Sequence, residues 1–147
     1  MTGGSGTPPP KPPSRVRVKW AGEQRFDTGR ENGPVARLDG DGKTGQSPPE
    51  AVLSALASCV SIDVVEILAK RRTPVESLQV DVVGERVDTI PRRFRHITLN
   101  FALTGSGIER DQAERAIELS VTKYCSIRDS LREDIKVEWT LDLTVTY

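Results

Sequence analysis

Cys59 and Cys125 are the two cysteines of a 147-residue chain, and little else in it is equipped for chemistry. Cys59 sits in a long apolar helical stretch that opens with Ser47-Pro48-Pro49-Glu50, and Cys125 in Lys123-Tyr124-Cys125-Ser126 near the end of a second helical stretch. If the fold brings the sulfurs together, the chemistry is thiol redox. A thiolate can be oxidised to a sulfenic acid, and a nearby second thiol can close a disulfide before further oxidation. A disulfide needs Cα atoms within about 7 Å, which a wide sequence separation neither supports nor forbids. By residue type alone, two inert core cysteines are the simpler reading.

A cysteine of ordinary acidity, with a pKa of about 8.5, is only a few per cent thiolate at neutral pH, and burial in an apolar helix lowers that fraction. Cys59 therefore needs a cation. It lies too far along its helix to gain much from the positive N-terminus, so an arginine delivered from elsewhere is the expected activator, its planar fork held by a carboxylate. Glu50 is a candidate, but nine residues of ideal helix place it about 180° around and roughly 13 Å along from Cys59. It can serve the same site from a second subunit or through a bend at the helix start; otherwise it caps its own helix.

Other chemistries have little to stand on. His96 is the single histidine, expected on the solvent-facing side of a strand, and without Cys-x-x-Cys or His-x-His groupings no metal, haem or iron–sulfur site is expected. Asp39-Gly40-Asp41-Gly42-Lys43 has the alternating acids and glycines of a calcium loop but lacks the distal glutamate. Gly105-Ser106-Gly107 lacks the third glycine and the βαβ setting of a dinucleotide site and reads as a turn. Arg92, Arg93 and Arg95 around Phe94 read as a solvated hairpin tip. Twenty-one basic residues balance 21 acidic ones, which leaves no electrostatic footprint for nucleic acid or an anionic membrane. No run of about 18 to 20 residues free of polar interruption suggests a membrane span, and the N-terminus lacks the form of a signal peptide. A cytoplasmic protein is expected, and in that reducing compartment a paired thiol is chemistry or filler rather than a permanent staple.

The elements that must position the cysteines follow from patterning. Residues 1–14, rich in Gly, Pro, Ser and Thr, have almost nothing to bury and read as a disordered tail, leaving one domain over 15–147. Arg15 to Trp20, Gln24 to Thr28 and Val35 to Asp39, separated by turn-rich segments, predict a three-stranded antiparallel meander. Ser47 as N-cap, Pro48 at the first helical position and Glu50 three residues on predict a helix start, with the helix running to about Arg72 before Thr73-Pro74. Ser54, Ser58 and Ser61 form a narrow stripe of small side chains on an otherwise apolar rod of roughly 35 Å. One small sheet cannot wrap such a rod, so two copies pairing along that stripe is the favoured arrangement, against a monomer whose second helix covers the face.

Two alternating stretches follow, with Leu78, Val80 and Val82 sharing one face and Ile97, Leu99, Phe101 and Leu103 another, joined through Asp88 to Arg93. A second helix is expected from about Glu109 to Tyr124, with Ala113, Ala116, Ile117, Val121 and Tyr124 facing the core. Ser126 with Asp129 looks like a fresh N-cap, which puts Cys125 at a break between helices. Ile135, Val137, Trp139, Leu141, Leu143, Val145 and Tyr147 alternate with polar residues as a last strand. The order predicts an α+β fold.

The segments SPPEAVLSALASCVSIDVVEIL and ERAIELSVTKYCSI resemble the OsmC/Ohr family, the osmotically inducible and organic hydroperoxide resistance proteins, over about residues 15 to 147. That resemblance implies antiparallel sheets wrapped around long central helices in an intertwined homodimer. It implies a cofactor-free thiol-dependent peroxidase in oxidative-stress defence, acting on organic hydroperoxides or hydrogen peroxide, with electrons from a small dithiol or a protein dithiol. It implies Cys59 as the peroxide-attacking thiol, Cys125 as the resolving thiol, Glu50 as the active-site carboxylate and an arginine from the N-terminal strands, for which Arg25 is the nearest match and Arg30 and Arg37 are rivals. Around Gly22 to Phe26 the chain departs from the glycine- and arginine-rich pattern of the hydroperoxide-resistance branch. The alternative is a family member that keeps the fold as a small-molecule binding or redox-sensing module with negligible turnover.

Overall fold

A computed structural model describes residues 6–147. The expected tail lies partly outside these residues; from residue 6 to residue 16 the chain is exposed and forms neither helix nor strand. The chain divides into two compact units, one up to Pro48 and one over Pro49–Tyr147.

The first unit is the antiparallel meander β1 (Arg17–Trp20), β2 (Arg25–Gly29) and β3 (Val35–Asp39). Gly22 and Glu23 take positive φ in the β1–β2 turn, where Gly22, at φ 96°, suits its lack of Cβ. The register places Trp20 opposite Phe26 and Phe26 opposite Leu38, so these three share a face with Val18, two residues from Trp20. Arg37 grips Asp27 across the β2–β3 pair, Nε to Oδ1 at 2.7 Å. The calcium-like loop has another use for its first acid. Asp39 is buried, and its carboxylate accepts from the Asp41 amide at 2.9 Å and from the Thr44 amide and hydroxyl at 3.0 and 2.8 Å. The Thr44 hydroxyl first, then those amides, hold the Asp39 carboxyl down at about 2.

In the second unit α1 (Pro48–Lys70) is followed by β4 (Val75–Arg86), β5 (Phe94–Ser106), α2 (Arg110–Leu119), a π-helical turn (Ser120–Tyr124), α3 (Ser126–Ser130) and β6 (Lys136–Thr146). The sheet order is β4-β5-β6. β4 and β5 pair antiparallel, but β6 runs parallel to β5, which corrects the expectation of purely antiparallel sheets. The reason is topological: β5 ends at Ser106, and the helical segment carries the chain back to the start of β5, where Lys136 pairs with His96. A strand entered that way must run alongside its predecessor.

Leu56, Val60, Val64 and Leu68, four residues apart on α1, are fully buried and join Ile97, Leu99, Phe101 and Leu103 of β5 and Ala113, Ala116 and Ile117 of α2 in one core. Gly84 lets that packing close: a Cβ there would meet Phe94 Cε1 at 2.6 Å and Leu53 of α1 at 3.0 Å. By length and composition alone α1 is long and apolar enough to cross a membrane, which corrects the expectation that no run in the chain suggests a span. Serine lowers the hydropathy of such a run only slightly, and here the Leu56–Leu68 stripe is covered by protein. The opposite side of α1 stays open in the single chain, with Ile62 59% and Val65 42% exposed.

His96 is more engaged than expected of a solvent-facing residue. Its ring nitrogens lie 2.8 Å from Glu85 and 2.9 Å from Glu138, so one imidazole spans all three strands on the polar face. Both bonds are donated by the ring only in its protonated form. The arginine cluster is likewise occupied: Arg92 donates to the Val87 carbonyl, and Arg93 and Arg95 face Asp134 and Glu85.

Candidate active site

Cys59 lies near the middle of α1, half-buried against the core, and Cys125 is buried at the junction of the π turn and α3; both are free thiols. The sequence expects a fresh N-cap at Ser126. The cap is one residue earlier: Cys125 has extended backbone, φ −74° and ψ 107°, and its sulfur accepts the Arg128 amide at 3.3 Å. This small shift makes the sulfur itself part of the helix start, and it turns the first amides of α3 toward Cys59.

The two thiols interact directly, and their surroundings drive their acidities apart. Burial pushes Cys59 up, but the Ile127 amide, the Cys125 side chain, the Ser126 hydroxyl and the Ser126 amide together outweigh it and hold Cys59 below the ordinary thiol value. Burial pushes Cys125 up, and its contact with Cys59 adds to that, more than the Arg128 and Ile127 amides offset. When the pair loses a first proton, Cys59 therefore becomes the thiolate and Cys125 stays a thiol that donates to it. The largest stabilising contributions are neutral donors, so the cation that apolar burial seemed to demand is not the main source of the shift. Ser126 and Ile127 were not legible as site residues, although the cap signature around Ser126 pointed to the right break.

Arg128 also anchors this region from below. Its guanidinium donates to the carbonyls of Arg132, Glu133 and Ile135 at 3.1, 3.3 and 3.0 Å, tying α3 to the approach of β6. A cavity of about 390 Å³ opens beside Cys125, lined by residues that include Val121, Lys123, Arg128 and Val137.

Glu50 lies in the first turn of α1. Because α1 is unbroken from Pro48 to Lys70, the bend that could have let Glu50 reach Cys59 along their own helix is absent, and the separation of roughly 13 Å stands. Arg25 opens β2 in the first unit, paired with Asp39, and its Nε is buried without a hydrogen-bond partner there. Arg37 is committed to Asp27, and Arg30 follows the end of β2. Among the described residues no group of three or more His, Cys, Asp or Glu is arranged to hold a metal ion.

A family model described as OsmC-like protein matches residues 40–140, which include both cysteines. Protein YhfA of Escherichia coli is 37% identical over 124 residues, covering 84% of this chain and 92% of that protein. Among solved structures, a hypothetical protein from Aquifex aeolicus superposes with a TM-score of 0.77 at 24% identity, over 91% of this chain and 99% of that one. The organic hydroperoxide resistance protein OhrB of Bacillus subtilis superposes with a TM-score of 0.58 at 14% identity, over 87% and 96%. Both structural likenesses are likenesses of fold.

Proposed function

The chain belongs to the OsmC-like family, and from that premise we propose that it is a thiol-dependent peroxidase of oxidative-stress defence, working in the reducing cytoplasm without a cofactor. The observation that carries this reading is the direct contact of two thiols whose surroundings lower the acidity constant of one and raise that of the other. The Cys59 thiolate attacks one oxygen of a hydroperoxide, the O–O bond breaks, and the leaving alkoxide takes up a proton as the alcohol; Cys59 is left as sulfenic acid. The Cys125 sulfur then attacks the Cys59 sulfur, an S–S bond forms, the S–O bond breaks, and the hydroxyl leaves as water with the Cys125 proton. A dithiol reduces the disulfide by exchange and is itself oxidised. The cavity beside Cys125 offers that reductant an approach.

Apolar surroundings of Cys59 such as Leu56 and Val60 suit an organic hydroperoxide and do not exclude hydrogen peroxide. Arg25 is the guanidinium we assign to support the thiolate. Because α1 holds Glu50 roughly 13 Å along from Cys59 of its own chain, the carboxylate we assign to the site is the Glu50 of a second copy. The test is consumption of cumene hydroperoxide with a dithiol reductant. Sustained turnover supports the enzyme; one equivalent of oxidation followed by arrest supports the redox-sensing alternative.

We further propose that the working unit is a homodimer. In each chain two apolar faces lack cover: Ile62 and Val65 beside Ser58 and Ser61 on α1, and Val18, Trp20 and Phe26 on the first sheet, 59, 64 and 36% exposed. A soluble monomer seldom leaves such patches open. Sedimentation at micromolar concentration should give twice the chain mass, and Ile62→Asp should shift it to the monomer; a monomeric parent chain would refute the assembly.

A further inference from the structure

Ser120 is fully buried in the middle of a helical face that is otherwise apolar, and a buried hydroxyl in such a place needs partners. It has two on α1: its Oγ lies 2.7 Å from Asp63 Oδ2 and 3.2 Å from the carbonyl oxygen of Val60. With a single proton to give, the hydroxyl shares it, the shorter bond going to the carboxylate. Val60 is the residue after Cys59. At its other end Ser120 accepts, through its own carbonyl, the amide of Cys125 at 2.8 Å, the wide bond that makes this turn π-helical. Hydrogen bonds through one residue thus connect the peptide beside Cys59 to the peptide of Cys125. Interruptions of this kind in an α-helix recur at functional sites.

Resting on the thiol-pair reading above, we propose that Ser120 is a positioning residue for disulfide closure: its bonds to Val60 and Asp63 fix the π turn so that the Cys125 sulfur stands in attack position over Cys59. Closure has narrow geometric limits, and a displacement of about 1 Å can cost on the order of 100-fold in rate. The first step, attack by Cys59, depends on donors from Ser126 and Ile127 on α3, and α3 is independently anchored by Arg128. Ser120 therefore acts on the second step far more than on the first.

The test uses oxidised glutathione, which needs no peroxidase activity. Cys59 attacks the glutathione disulfide, releasing one glutathione thiolate and forming a mixed disulfide. The Cys125 thiolate then attacks the Cys59 sulfur and expels the second glutathione. In Ser120→Ala the closing step should slow by about tenfold or more while the first step changes by less than about threefold. Asp63→Ala, which keeps the hydroxyl on Val60 alone, should show a smaller loss in the same direction and decides the matter if Ser120→Ala does not fold. An unchanged closing rate in a folded variant, or an equal loss in both steps, overturns the proposal. Failure of hydroperoxide turnover in the parent protein would refute the peroxidase reading and leave this measurement standing.

Discussion

Replacing Cys59 by serine should abolish dithiol-supported hydroperoxide consumption, with a loss of at least about 1000-fold, as expected when an enzyme loses its attacking atom. The serine hydroxyl is nearly isosteric with the thiol and can accept the same donations from Ser126 and Ile127, so fold and core should survive. Cys125→Ser should behave differently: the first oxidation of Cys59 proceeds, no disulfide closes, and Cys59 continues toward sulfinic acid. The pH profile separates chemistry from architecture. Thiolate is the reactive form, so the rate of the first oxidation should rise with pH through a midpoint shifted below that of an ordinary thiol and level off above it, following the downward shift of Cys59. Ser126→Ala removes one of the donors to that thiolate and should move the midpoint upward. Persistent turnover in Cys59→Ser would place the chemistry elsewhere.

Phe101→Ala should have the largest effect on stability, about 3–5 kcal/mol. Phe101 is 2% exposed on the central strand of the second sheet, opposite Val80 on β4 and Leu141 on β6. Its ring belongs to the core that also holds Leu56, Val60 and Val64 of α1. Truncation leaves a cavity that two hydrogen-bonded neighbours prevent from collapsing. Against a total of about 5–15 kcal/mol for an ordinary domain, such a loss would leave little margin, measurable as a lower urea midpoint with an unchanged slope. Leu131→Ala, at the partly buried edge of the same core, should cost less. A similar small effect for both would mean the core is not centred on β5.

Local patterning carried most of this fold. Ile97, Leu99, Phe101 and Leu103 announced β5 by strict alternation, and the proline pair after Ser47 announced α1, because these signals depend on a residue and its near neighbours. The parallel pairing of β6 with β5 was not legible, since Ile135 to Tyr147 alternate equally well in either direction and only the path of the intervening helices decides. Within the site, Cys59 and Cys125 stood out by type, and the break at Cys125 was foreseen from Ser126 and Asp129. The amide donors of Ser126 and Ile127 were hidden, because backbone groups have no sequence signature and their direction depended on a cap displaced by one residue. Ser120 was not singled out, although a polar residue among Ala113, Ala116, Ile117 and Val121 stands on a face where each polar group requires an explanation. Its partners Val60 and Asp63 required the tertiary structure.

The central claim is that Cys59 and Cys125 of one chain form a working pair. Peptide mapping by mass spectrometry after one equivalent of organic hydroperoxide tests it most directly. The account predicts a disulfide joining the Cys59 and Cys125 peptides within a single chain, reversed by dithiol. Cys59 oxidised to sulfinic acid beside an untouched Cys125 thiol, or cross-links only between chains, would contradict it.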